Sequence, residues 1–167
     1  GTIHIAYRRQ ETGELWLASK AAGSSTTWTL DEVDATEDVD VGFDASLAIA
    51  TDGTLHISYR DATNFDPKHA WKSPQDTDWT TDIADPTGNV GQFSSLAIGP
   101  INGTLYISYS DDDQGDLRIA SKSSGGSWVN SLVDDPGTEV GRHNNLVIAP
   151  NGDLHISYHK KATGSAV

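Results

Sequence analysis

The 167-residue chain contains no cysteine and no methionine. The first absence excludes disulfides, thiol nucleophiles and Cys-ligated zinc, and is compatible with secretion. Without methionine the chain is read as processed or excised from a longer one. Cationic side chains are scarce: 11 Lys and Arg stand against 24 Asp and Glu, a formal net charge of −13. Such a field repels phosphate backbones and anionic lipid, so neither nucleic acid nor a membrane is an expected partner. Long apolar runs are missing too. The longest, LAIA (47–50) and LVIA (146–149), are strand-sized, far short of the roughly 18 residues of a spanning helix. Helices are hard to place, because Gly, Ser, Thr, Asp and Asn break the chain before a 3.6-residue apolar stripe can develop. At this length one domain with its own core is expected.

What the chain does have is repetition. GTIHIAYRR (1–9), GTLHISYRD (53–61), GTLYISYSD (103–111) and GDLHISYHK (152–160) are near copies. A longer unit opens at Val41, Val90 and Val140, a period of about 50 residues. Each full unit reads as four short strands: SLAIG (95–99), TLYISY (104–109), DLRIASK (116–122) and WVNSLV (128–133) in one copy. In the second strand Leu55, Ile57 and Tyr59 alternate with His56 and Ser58, the period of a half-buried strand. TDGT (51–54), INGT (101–104) and PNGD (150–153) are tight hairpin signals.

Four antiparallel strands per unit of about 50 residues predict an all-β fold of β-propeller blades. A solenoid of β-hairpins is the alternative. The propeller is preferred because a long return, VDDPGTEVGRHN (133–144), leads from outermost strand to next innermost, and because small residues (Ala48, Ala50, Ala97, Gly99) suit a crowded inner strand. The units are 1–40 (a blade lacking its inner strand), 41–89, 90–139 and 140–167 (a partial blade). Thirteen strands amount to three blades, fewer than the four to eight that close a propeller. The expected partner is therefore the chain itself, as a homodimer closing a six-bladed ring or a head-to-tail filament, unless the chain is part of a larger propeller.

SKSSGGSW (121–128) resembles the Asp-box of the sialidase-like (BNR-repeat) propellers. Ser121, Gly125, Ser127 and Trp128 fall in place, and Ser123 stands where that family has Asp. AAGSSTTW (21–28) and KSPQDTDW (72–79) keep only the Trp. The repeat phrase is also similar to repeats of secreted bacterial proteins without assigned activity. The resemblance implies a propeller fold, an extracellular or periplasmic location, and Asp-boxes that are structural turns away from any active site. It further implies what a hydrolase would need: an arginine triad, a Tyr–Glu nucleophile and an Asp acid. Arg8, Arg60 and Arg142 are candidates for the first. No Glu (11, 14, 32, 37, 139) occupies a repeat position reaching the axis, and no close carboxylate pair can be nominated. Catalytic residues are therefore none, with a fragment of a sialidase-like glycoside hydrolase as the alternative.

Function is expected from loops that vary while the frame repeats. The loop after the second strand and the entry to the first share one end of a propeller, around the channel mouth. They hold Arg8, Arg9, Arg60, Asp61, Ser110, Asp111, His159 and Lys160, with Phe43, Asp44, Gln92, Phe93, Arg142 and His143. From these, Arg8, Arg60, Asp61, Asp111, Arg142, His143 and His159 are assigned to a carbohydrate or small polar ligand, the competing reading being an ordinary solvated surface. His4, His56 and His155 share one repeat position with Tyr106 and are read as packing between blades, since symmetry spreads them around a ring. DDDQGD (111–116) echoes the start of a calcium loop, but position 122 is Lys where a bidentate Glu belongs. It is read as a solvated hairpin, and no cofactor is assigned.

Overall fold

The computed structural model describes residues 1–23 and 26–161. Residues 24–25 of the first turn and 162–167 of the fourth unit lie outside the described residues. Thirteen strands form four antiparallel sheets, and no helix occurs among the described residues. The first sheet is β1 (Thr2–Arg9), β2 (Glu14–Ala21) and β3 (Thr29–Asp34). The second is β4 (Val41–Ile49), β5 (Leu55–Asp61), β6 (Asp66–Lys72) and β7 (Thr80–Ile83). The third repeats it as β8 (Val90–Ile98), β9 (Leu105–Asp111), β10 (Asp116–Lys122) and β11 (Val129–Asp134). The fourth holds β12 (Val140–Ile148) and β13 (Leu154–Lys160). Each sheet is a simple meander, the pattern of a propeller blade.

The hairpin signals act as expected. Gly53, Gly103 and Gly152 sit at φ +89°, +67° and +93°, and the preceding Asp52, Asn102 and Asn151 each accept the backbone N–H two residues on. The inner strand is longer than SLAIG implies: β8 begins at Val90, five residues earlier. Its register against β9 slips twice, between Val90 and Ser95. Bulges of this kind continue the pairing while turning the extra side chains outward. Gly91 permits it. At φ +90°, any Cβ there would meet the Pro67 backbone nitrogen at 2.7 Å, so glycine is what lets the third sheet approach the second.

Successive sheets pack face to face. One core joins Leu15, Leu17 and Val33 of the first sheet to Val41, Ile57 and Tyr59 of the second. The next joins Ala84 to Val90, Leu96, Ile107 and Tyr109. The inner strands touch through a hydrogen bond repeated one unit apart: Leu96 N donates to Ser46 Oγ and Leu146 N to Ser95 Oγ, both at 3.0 Å.

A polar clasp also recurs. An Asp at or just beyond the end of each outer strand accepts from the second-strand Tyr of the following sheet: Tyr59 to Asp34 and Tyr109 to Asp85 at 2.6 Å, Tyr158 to Asp134 at 2.8 Å. Burial works to raise the Asp34 carboxyl, but bonds from Lys68, Tyr59 and Thr36 outweigh it and hold the group below its usual value. Burial and the adjacent carboxylates push both inner tyrosine hydroxyls far up. Nearer the other end, Asp31 receives Lys72 and Trp79 from the second sheet, and Asp82 receives Lys122 from the third. Asp82 also accepts from His69 Nδ1 at 3.1 Å, and His69 Nε2 faces His56 Nδ1 at 3.0 Å.

Two outcomes follow from the clasps. Tyr109→Phe leaves the fully buried Asp85 short of one donor and is expected to cost about 1.5–3 kcal/mol in denaturant unfolding. Tyr158→Phe, on an exposed pair, is expected to cost only a fraction of that; equal losses would deny the clasp its buried character. Burial, then the charge of His69, lowers the His56 imidazole from 6.5 to about 4. Between those values the unfolded chain binds a proton that the folded chain refuses, so stability rises with pH across this window and is complete above it. Asp52, Lys122 and His69 are the charged or titratable groups acting on His56. His56→Tyr, the residue the third sheet carries at the same place, is expected to flatten the slope of unfolding midpoint against pH between about 4 and 6.5. An unchanged slope would overturn the assignment.

Candidate functional site

The bulges of the inner strands build one end of the molecule. Asp44, Phe93 and His143, at a single repeat position, all have left-handed backbones, with φ of 51°, 55° and 50°. Such a conformation is uncommon for a phenylalanine and is held only where the surroundings impose it. Here they do. Phe93 N donates to Asp44 Oδ2 at 2.8 Å and Asn144 Nδ2 donates to Phe93 O at 2.7 Å, tying each bulge to the next. The Phe93 and His143 rings tilt against each other at 4.5 Å.

The loop residues after the second strands stand directly opposite these bulges. Arg60 pairs with Phe43 in the sheet register, Ser110 with Gln92, and His159 with Arg142. Arg8 crosses from the first sheet to the second, bonding Asp40 through Nε and Nη2 at 2.8 and 2.6 Å with its guanidinium 4.2 Å from the Phe43 centroid. Arg60 makes the equivalent crossing to the neutral Asn89, at 2.7 Å. Its Nε is buried with no partner among the described residues. Arg142 pairs with Glu139, which also takes Lys161.

The assigned residues therefore divide. Arg8, Arg60, Arg142, His143 and His159 lie together at this end. Asp61 and Asp111 do not present their carboxylates there. Both are about 3% exposed and brace their own hairpins. Asp61 accepts from the backbones of Thr63 and Asn64 and from the Asn64 amide. Asp111 accepts from the backbones of Asp113 and Gln114 and from Arg118. This corrects their assignment to a ligand: in a tight hairpin a strand-end Asp is drawn to the unpaired N–H groups of the turn. The acidic run 111–116 spends its oxygens in the same way, Asp113 taking Asn89 N at 2.8 Å.

Asp112 was missing from the sequence assignment; its backbone N donates to Asn89 O at 2.9 Å, which sets it next to the Arg60–Asn89 bond. Burial pushes its carboxyl up, against the pull of Arg60 and Arg142, so both guanidiniums act on it. The row Asp40, Asn89 and Glu139 was missed as well. The signal was available, since each immediately precedes the Val-Gly that opens a unit. Of the histidines, His4 bonds Ser19 at 2.7 Å within its own sheet, and His56 bonds His69 far from the mouth.

No family model and no curated protein matches the sequence. Solved structures match it in shape. The NanB sialidase of Streptococcus pneumoniae superposes with TM-score 0.62 and 14% identity over 97% of this chain and 26% of the enzyme. The leech intramolecular trans-sialidase gives 0.61 and 15% over 95% of this chain and 26% of its own. A fucose lectin from Kordia zhangzhouensis, solved with methyl-fucoside, gives 0.50 and 14% over 78% of this chain and 89% of the lectin. The chain thus spans about a quarter of the length of those sialidases. At these identities the likeness establishes the fold: an all-β chain of four-stranded, propeller-type blades.

Proposed function

We propose that the chain is a non-catalytic propeller module that binds a carbohydrate or small polar ligand at the bulged end, in an extracellular or periplasmic setting. The observation that carries this reading is the crossing of Arg60 to the neutral Asn89, at the same end as Arg142 and the Phe93–His143 ring pair. Guanidinium and carboxylate groups supply paired donors and acceptors for hydroxyls, and an aromatic pair supplies a face for sugar C–H groups. Arg60 keeps its charge available to a ligand, because its hydrogen-bond partner Asn89 is neutral. Hydrolysis is not part of the proposal, since among the described residues no pair of free carboxylates is found at this end: Asp61 and Asp111 are bound into turns and Glu139 is held by Arg142 and Lys161. The sialidase and lectin neighbours support a glycan as the ligand class.

The proposal includes self-assembly. Ile3 and Ile5 of the first sheet are 47% and 48% exposed, whereas Ile57 and Ile107, the equivalents of Ile5, are fully buried by a neighbouring sheet. On the same face Tyr7 has no acid like those that clasp Tyr59 and Tyr109, and Lys20 lies over Trp28 with no counterpart of Asp31 or Asp82 among the described residues. A second copy, joined head to tail, would cover that face and close a six-bladed ring or run on as a filament.

Ligand-observed NMR with 3′-sialyllactose and methyl-fucoside is expected to show binding without release of free sugar. Arg60→Ala is expected to weaken it about tenfold. Turnover of a fluorogenic sialoside, abolished by Arg60→Ala or Arg142→Ala, would replace the binding reading with the hydrolase one. Light scattering in dilute buffer is expected to give about twice the 17.8 kDa chain mass for the closed ring. A monodisperse 17.8 kDa species would refute self-assembly.

A further inference from the structure

The end opposite the bulges holds a cleft of about 840 Å³ between the second and third sheets, within the size range of small-molecule sites. Its walls are the β4–β5 and β8–β9 turns, with Ile49, Ile98, Pro100 and Leu105 as apolar surface. His56, His69, Trp71 and Lys122 also line it.

Two of these residues break the repeat. His69 stands where the first sheet has Leu17 and the third has Ile119; Trp71 stands where both have Ser, Ser19 and Ser121. Leu17 is 2% exposed and packs in a core, so the frame is satisfied by leucine at this position. A buried imidazole there carries a desolvation cost that the blade itself does not require.

The hydrogen bonds around His69 fix a direction. The Asp82 carboxylate can only accept, so His69 Nδ1–H donates to it at 3.1 Å. Neutral His69 then offers Nε2 as an acceptor, and His56 Nδ1–H donates to it at 3.0 Å. A neutral His56 is left with a lone pair on Nε2 that has no partner among the described residues. Three stacked rings hold this row in place: His56 on His69 at 5.3 Å and His69 on Trp71 at 5.0 Å. Lys122 bonds the other oxygen of Asp82, so the two charges cancel. At the rim, Asp52 is turned onto its own hairpin through Thr54 N. The cleft therefore combines apolar walls, one oriented acceptor and, at its rim, the Asp52 carboxylate.

We propose that this cleft is a second binding site, distinct from the bulged end, for a neutral hydroxylated molecule of monosaccharide size that donates a hydroxyl to His56 Nε2 and packs its C–H face on the apolar walls. An anion would meet the Asp52 carboxylate at the rim and would have to draw Lys122 away from Asp82. A neutral polyol meets neither obstacle. The site needs the ring row intact, because the acceptor on His56 is set by the proton positions on His69.

The test uses a panel of neutral methyl glycosides other than the fucoside tested at the bulged end (galactoside, glucoside, mannoside) with tryptophan fluorescence and ligand-observed NMR. At least one is expected to bind at millimolar concentration or below. His69→Leu combined with Trp71→Ser restores residues that the first sheet accommodates at these positions and is expected to weaken binding at least about tenfold with the fold intact by circular dichroism. Should that pair fail to fold, His56→Phe removes the acceptor and puts no other in its place, and is expected to have the same effect. Unchanged binding in either folded variant, no binding by any member of the panel, or binding lost in Arg60→Ala instead would overturn the proposal.

Discussion

Each sheet of this chain has two apolar faces and can cover neither by itself. Everything else is arranged around that deficit. A face carrying Leu, Ile and Tyr from the second strand meets the back of the preceding sheet, and the Tyr hydroxyl finds the carboxylate at the end of that sheet's outer strand. A buried carboxylate would be costly alone. Bonds from Tyr59, Lys68 and Thr36 make Asp34 stable as an anion, and Asp85 has Tyr109 and Thr87 for the same purpose. The clasp therefore sets the angle between neighbouring sheets while apolar burial supplies the driving force.

The same stacking decides where chemistry can occur. At one end, the bulged inner strands turn paired residues outward and tie each bulge to the next. Arginines from one sheet reach the loop of another, so that side chains about 50 positions apart in sequence share one surface. At the other end, hairpin turns of neighbouring sheets splay and leave a cleft whose floor is a row of imidazole and indole rings. Both places lie between sheets. No single repeat unit contains either.

The acidic residues show how context separates identical side chains. Asp61 and Asp111 end their strands and are consumed by the turns that follow. Asp34 ends an outer strand, Asp85 lies two residues beyond one, and both become clasps. Asp112, one residue beyond Asp111, is partly buried, and burial raises its carboxyl against the pull of Arg60 and Arg142. Position along the strand, rather than local composition, assigns each role, because only backbone geometry fixes which donors lie within reach.

The strands, the hairpin turns and the four-stranded unit were legible in the sequence, because period-two alternation and Asn-Gly or Asp-Gly turns are local properties. So was the set of loops at the bulged end, since positions that vary inside a repeating frame stand out. Tertiary structure decided the rest. The inner strand begins at Val90 rather than Ser95 because a bulge admits residues that break alternation, and only the partner strand reveals the slip. Asp112 joins the site through its backbone bond to Asn89, and Asn89 through the Arg60 of the preceding sheet; the place of Asn89 before Val-Gly was periodic, but its bond to Arg60 was not written in the spacing. His69 and Trp71 were visible as departures from the repeat, yet their meaning rests on Asp82 and His56, brought to them by the neighbouring strands of one sheet. Sequence spacing fixed what each strand is; the stacking of sheets fixed which side chains meet, because those distances are set by packing rather than by the chain.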